Sequence, residues 1–177
     1  MALWRRFSKR AGEASPAPTT ANRIPTVRFD PARVTDAVKA DLWANVRALG
    51  DVAEENLKPV YQVALQSILK GRDLGMLCDA LTTMGGMTKQ RAAEISHLLN
   101  NKATALMEDE RRIALGITHA VWLYSGAPCG NHDAEHKAAN GASYRIGEGL
   151  LIGGARTSPG REAGCRCVSR SVIKGFT

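Results

Sequence analysis

A set of cysteines and histidines between Cys129 and Cys167 constrains this chain more than any other feature. It reads C-x2-H-x3-H over Cys129, His132 and His136, and C-x-C over Cys165 and Cys167. Residues three and four apart lie on one helix face, so the first three can converge on a short helix. Thiolate and imidazole suit Zn²⁺, which takes four ligands tetrahedrally. A zinc ion held there could staple a small module whose loops lack the apolar mass to hold themselves. Five candidates compete for four places, so at least one is a bystander. Cys165 and Cys167 can reach one ion only if the backbone turns around Arg166. The same residues also read, without any metal, as hydrogen-bonding and core side chains.

The pattern argues against a catalytic zinc. It offers more ligands than an open site needs and no clear general base. Glu135 lies beside His136, but the pair makes neither H-E-x-x-H nor the deaminase signature.

Helical periodicity fills the chain before the cluster. Asp30-Pro31 reads as an N-cap and first helical residue, followed by Val34, Val38, Leu42, Val46 and Leu49 at helical spacing. Asp51 and Glu54 resemble a capping box for a second helix through Leu57, Val60, Tyr61, Ala64, Leu65 and Ile68. A shorter helix spans about 73–84, with Cys78 on its apolar side as a small buried hydrophobe. Thr88 caps a long fourth helix striped by Ile95, Leu98, Leu99, Ala103 and Leu106. Its Glu108–Arg112 run reads as a solvated face.

After Gly116 the pattern changes. Thr118–Tyr124 is β-branched and aromatic and reads as a strand; Asn131–Ala139 can form a short helix. Ser143–Ile146 and Arg166–Ile173 read as further strands, with Gly153-Gly154 and Ser158–Gly160 as breaks between them. The fold class is therefore α+β: an N-terminal helical region with a long helix, then a small β-rich C-terminal module. Residues 1–28, rich in Ala, Pro, Thr, Ser and Arg without periodicity, read as a flexible basic arm. Residues 29–116 form the helical region and 117–177 the module.

The net charge is +7, with a sequence pI near 9.5. That favours acidic partners such as nucleic acid, an anionic membrane face or an acidic protein surface, and equally a solvated basic face. No apolar run approaches the roughly 20 residues of a membrane span. The first residues carry positive charge without an apolar core, so they do not read as a secretory signal. A reducing compartment then favours metal ligation over disulfides.

The ordered set W-x-Y-S-G-x-P-C-x-x-H-x-x-x-H, N-G-x-x-Y and G-x-R-x-x-C-R-C resembles the C-terminal domain of the Mu F-like phage head morphogenesis proteins, also called minor capsid proteins. The matching positions are Trp122, Cys129, His136, Gly141, Tyr144, Cys165, Arg166 and Cys167. The helix from Thr88, Arg91 and Ala92 through Gly116-Ile117 is similar too, so the likeness covers roughly residues 60–177. Members usually carry P-x-H-P-x-C-R-C, whereas this chain has Ser158-Pro159-Gly160-Arg161 before its C-R-C. The loop histidine is missing, which makes His132 the natural substitute.

The resemblance implies a non-enzymatic virion component, made in the bacterial cytoplasm and placed in the head or neck. Such proteins associate with the portal or major capsid protein during assembly, and some accompany packaged DNA at ejection. Two other functions fit the residues themselves. One is a small metal-dependent nuclease or hydrolase using His132 and His136; the other is a basic DNA-binding module, though its Lys and Arg lack aromatic interleaving.

Overall fold

A computed structural model describes residues 29–173 and Gly175. The arm expected at 1–28 lies outside the described residues. The chain is α+β: α1 (Asp36–Arg47), α2 (Glu54–Leu69), α3 (Leu74–Gly85) and α4 (Lys89–Ala114) come first. Then follow β1 (His119–Leu123), α5 (Asp133–Ala138), β2 (Ser143–Arg145), β3 (Leu150–Ile152), β4 (Ala155–Thr157) and β5 (Val168–Ser171).

The helices are organised by α4, which packs against the other three. Its buried stripe, Ala92, Ile95, Leu99, Ala103 and Met107, meets Val38, Leu42 and Val46 of α1, Val60, Ala64 and Ile68 of α2, and Leu77 and Leu81 of α3. Burying one such Leu or Ile contributes about 1.5–3 kcal/mol, so this core outweighs the weak intrinsic propensity of each helix. Thr88 caps α4 by accepting the Arg91 N–H at 3.3 Å, and Asp73 caps α3 by accepting that of Met76 at 3.1 Å. Cys78 is half-buried at the edge of this core.

Three local expectations are corrected. Asp30-Pro31 opens only a single 3-10 turn, Pro31–Arg33; α1 starts at Asp36 because Thr35 Oγ1 takes the Val38 N–H. The Asp51/Glu54 capping box does not form. Ala53 is the N-cap of α2, and Asp51 turns to Arg91 of α4, 2.9 Å away. The Glu108–Arg112 run is not a solvated face: Glu108 pairs with Arg33, Asp109 is 6% exposed, and Arg112 reaches over to Ser169 of the module.

In the module, β1 is the central strand of an antiparallel sheet ordered β2-β1-β5. The alternation of β1 sends Ala120 and Trp122 inward. A second core forms there from Ala120, Trp122, Cys129, Tyr144, Ile146, Ile152, Cys165 and Cys167. Arg166–Ile173 is shorter as a strand than its residues suggest, because Cys165–Cys167 turns away to serve the cluster. The Gly153-Gly154 break proves to be the turn of a two-stranded hairpin, β3–β4, with Ile152 opposite Ala155.

Candidate metal centre

Four of the five candidate ligands come together. Cys129 (0% exposed), His136 (0%), Cys165 (2%) and Cys167 (5%) place one ligand atom each within 4.8 Å of all the others, so the cluster could hold a metal ion. Cys129 Sγ and Cys167 Sγ are 3.5 Å apart, and Cys167 Sγ lies 3.9 Å from His136 Nδ1. A disulfide needs about 2.05 Å, and all the cysteines are free.

The four candidate ligands arrive from three pieces of chain. Cys129 precedes the 3-10 turn Gly130–His132, and its N–H donates to Asp133 Oδ1 at 2.9 Å. Tyr124 Oη donates to the same oxygen at 2.7 Å. That bond, first among the causes, pushes the Tyr124 pKa up to about 12 and holds the Asp133 carboxyl below its usual range. His136 sits on α5 with its ring 5.0 Å from that of Trp122, which walls the site. Cys165 and Cys167 occupy the turn that closes the long loop after β4.

Two glycines let these loops meet. Gly130 (φ +65°) and Gly164 (φ +74°) lie backbone against backbone. A Cβ on Gly164 would sit 3.6 Å from the Gly130 nitrogen, and one on Gly130 would sit 3.4 Å from the Ala163 carbonyl oxygen. Both backbones are in the left-handed region, which side-chain-bearing residues avoid.

Donors surround the sulfurs. The Arg166 N–H donates to Cys129 Sγ at 3.5 Å, and the Gly160 N–H donates to Cys165 Sγ at 3.3 Å. Among the described residues the indole N–H of Trp122 is buried with no geometric hydrogen-bond partner, in the core cluster it shares with Cys167, where a thiolate would be a better acceptor than a thiol. Without a cation, burial opposes those thiolates: it raises the Cys165 pKa and, with the Cys129 contact, pushes that of Cys167 up to about 12. A bound metal reverses this balance, since buried thiolates need a positive partner.

On its far side, His136 Nε2 lies 3.0 Å from Glu162 Oε2. A carboxylate on the outer nitrogen fixes the ring and leaves Nδ1 free to ligate. Neither Glu162 nor the Asp133–Tyr124 pair is marked by any local motif.

His132 stays outside the cluster, so the structure does not place it as the substitute for the missing loop histidine. The 3-10 turn carries it to the surface, where Nδ1 faces Glu135 Oε2 at 2.9 Å. That hydrogen bond raises its pKa. Its ring stacks 6.1 Å from that of His136.

The other motif residues frame the centre. Trp122 and Tyr144 are core, with ring centroids 6.4 Å apart; the Gly141 N–H donates to the Trp122 carbonyl at 2.8 Å; Arg166 is exposed and contributes its backbone. Among the described residues no helix is long and apolar enough to cross a membrane. No family model, curated protein or solved structure matches this chain.

Proposed function

We propose that this chain is a structural protein of a phage head, with a C-terminal module stapled by one zinc ion. It docks on the portal or major capsid protein in the head or neck, is made in the host cytoplasm, and acts in assembly and beside packaged DNA. The observation that carries the zinc is the closed Cys129–His136–Cys165–Cys167 set. A tetrahedron with Zn–S near 2.3 Å has an S–S edge of about 3.8 Å, and an S–N edge of about 3.6 Å. The observed 3.5 Å and 3.9 Å lie on either side of those values.

Three sulfurs and one nitrogen complete the shell, so no position is left for the water or substrate that a catalytic zinc holds. This favours a rigid knob over a nuclease or hydrolase. The head-assembly role is supported by the ordered likeness from Trp122 to Cys167 and by the basic charge of the chain.

Two measurements test it. Elemental analysis of the purified chain is expected to find one zinc per molecule; a folded chain without metal overturns the centre. Mass spectrometry of purified particles is expected to find the chain with portal protein, and its absence from particles overturns the assembly role.

A further inference from the structure

The loop 158–165 performs four tasks in a short stretch. The Gly160 N–H reaches Cys165 Sγ, Arg161 leaves the module, Glu162 orients His136, and Cys165 is itself a candidate ligand. Arg161 Nη2 lies 2.8 Å from Asp41 Oδ1 on α1, and both side chains are about three-quarters buried (28% and 26% exposed). Asp41 is itself held. Its Oδ2 accepts the Asn45 Nδ2–H at 2.9 Å, and Asn45 Oδ1 accepts from Lys102 of α4. A carboxylate on the helical region thus anchors the residue next to Glu162.

We propose that Asp41 is a positioning residue of the metal centre: through Arg161 it fixes the loop that aims Glu162 at His136 and presents Cys165. This rests on the reading of the cluster as a zinc site. The energetic consequence follows from reciprocity. If docking of the loop on α1 favours the metal-binding arrangement, removing the dock weakens zinc binding, and removing zinc loosens the dock. Zinc occupancy and the seating of the module on the helices are then one equilibrium.

The experiment is a zinc titration of the full chain after chelation, against a chromophoric competitor. It compares wild type, Asp41→Ala, Arg161→Ala, the double variant, and Lys39→Ala as a control on the same helix. Helix content by circular dichroism checks that each chain is folded, and cobalt(II) absorption reports tetrahedral geometry. Each single variant is expected to weaken zinc affinity at least about fivefold, the double no further than the weaker single, and Lys39→Ala not at all. Wild type binding one zinc while folded single variants stay within about twofold of it overturns the positioning role alone. Independent, multiplying losses in the double variant do so too. Wild type binding no zinc overturns the metal reading and, with it, this inference.

Discussion

Glu162 Oε2 sits 3.0 Å from His136 Nε2, while the other ring nitrogen, Nδ1, lies 3.9 Å from Cys167 Sγ. In the proposed zinc site this carboxylate fixes the tautomer and the orientation of the ring. Glu162→Ala is expected to weaken zinc binding about tenfold without abolishing it. A competition titration measures this, and unchanged affinity would show that His136 is held by packing on Trp122 alone.

The ligand assignment separates the two histidines. His136→Ala, Cys129→Ser and Cys167→Ser are each expected to lose stoichiometric zinc, whereas His132→Ala keeps it. Metal content of the purified variants reads this directly. Zinc lost from the His132 variant but retained in the His136 variant would reverse the assignment.

The metal-free and zinc-loaded forms are expected to respond to pH with opposite slopes. Burial raises the Cys165 and Cys167 pKa values, the latter to about 12 against an ordinary 9.0. The metal-free fold therefore holds protons that the unfolded chain releases. Its stabilisation by these thiols is full below pH 9 and lost as pH rises through about 12. In the loaded form the thiols are deprotonated, so acid returns their protons, expels zinc and destabilises the module. Melting curves with chelator at alkaline pH and with zinc at acid pH distinguish the two; parallel slopes would refute zinc–thiolate ligation.

Gly164→Ala is expected to destabilise the module by about 1–2 kcal/mol through its left-handed backbone. The space itself is tolerant, because the added carbon meets Gly130 at ordinary contact distances. A shift in the denaturant midpoint at constant slope measures it. A neutral substitution would mean that the two loops can separate at no cost.

The proposed role beside packaged DNA predicts an electrostatic contact. Residues 1–28 hold Arg5, Arg6, Lys9, Arg10, Arg23 and Arg28 against the single acid Glu13, five of the seven excess positive charges. Removing them is expected to weaken duplex DNA binding and flatten its salt dependence, since each phosphate contact contributes about 0.9 to the slope. Fluorescence anisotropy at several salt concentrations tests this. An unchanged slope would place any DNA contact elsewhere.

Local signals revealed the parts of the fold that local chemistry builds. Thr88 is a cap that stands in the chain three residues from the N–H group it binds. The stripe of α4 repeats often enough to be read. The hairpin β3–β4 is too short for period-two alternation to emerge, so only its Gly153-Gly154 turn was visible. In the site, spacing treated His132 and His136 alike. What separates them is burial against Trp122, a contact between distant parts of the chain. Glu162 and Arg161 had no signal at all, because their partners are 26 and 120 residues away. Charge alone made Glu108–Arg112 look solvated; tertiary docking by Arg33 and Ser169 decided otherwise.

The spacing of the ligands also sets an order of events during synthesis. The helices α1–α4 draw their core from residues that emerge before β1 and can pack as they leave the ribosome. The centre cannot close until Cys167 has been made, 38 residues after Cys129. Until then Trp122 and the first cysteine have no shell around them. If the cluster binds zinc as proposed, the newborn chain passes through a stage with a finished helical half and an open set of unmetallated thiols, and this is when a chaperone, a protease or a competing thiophilic ion has its best access.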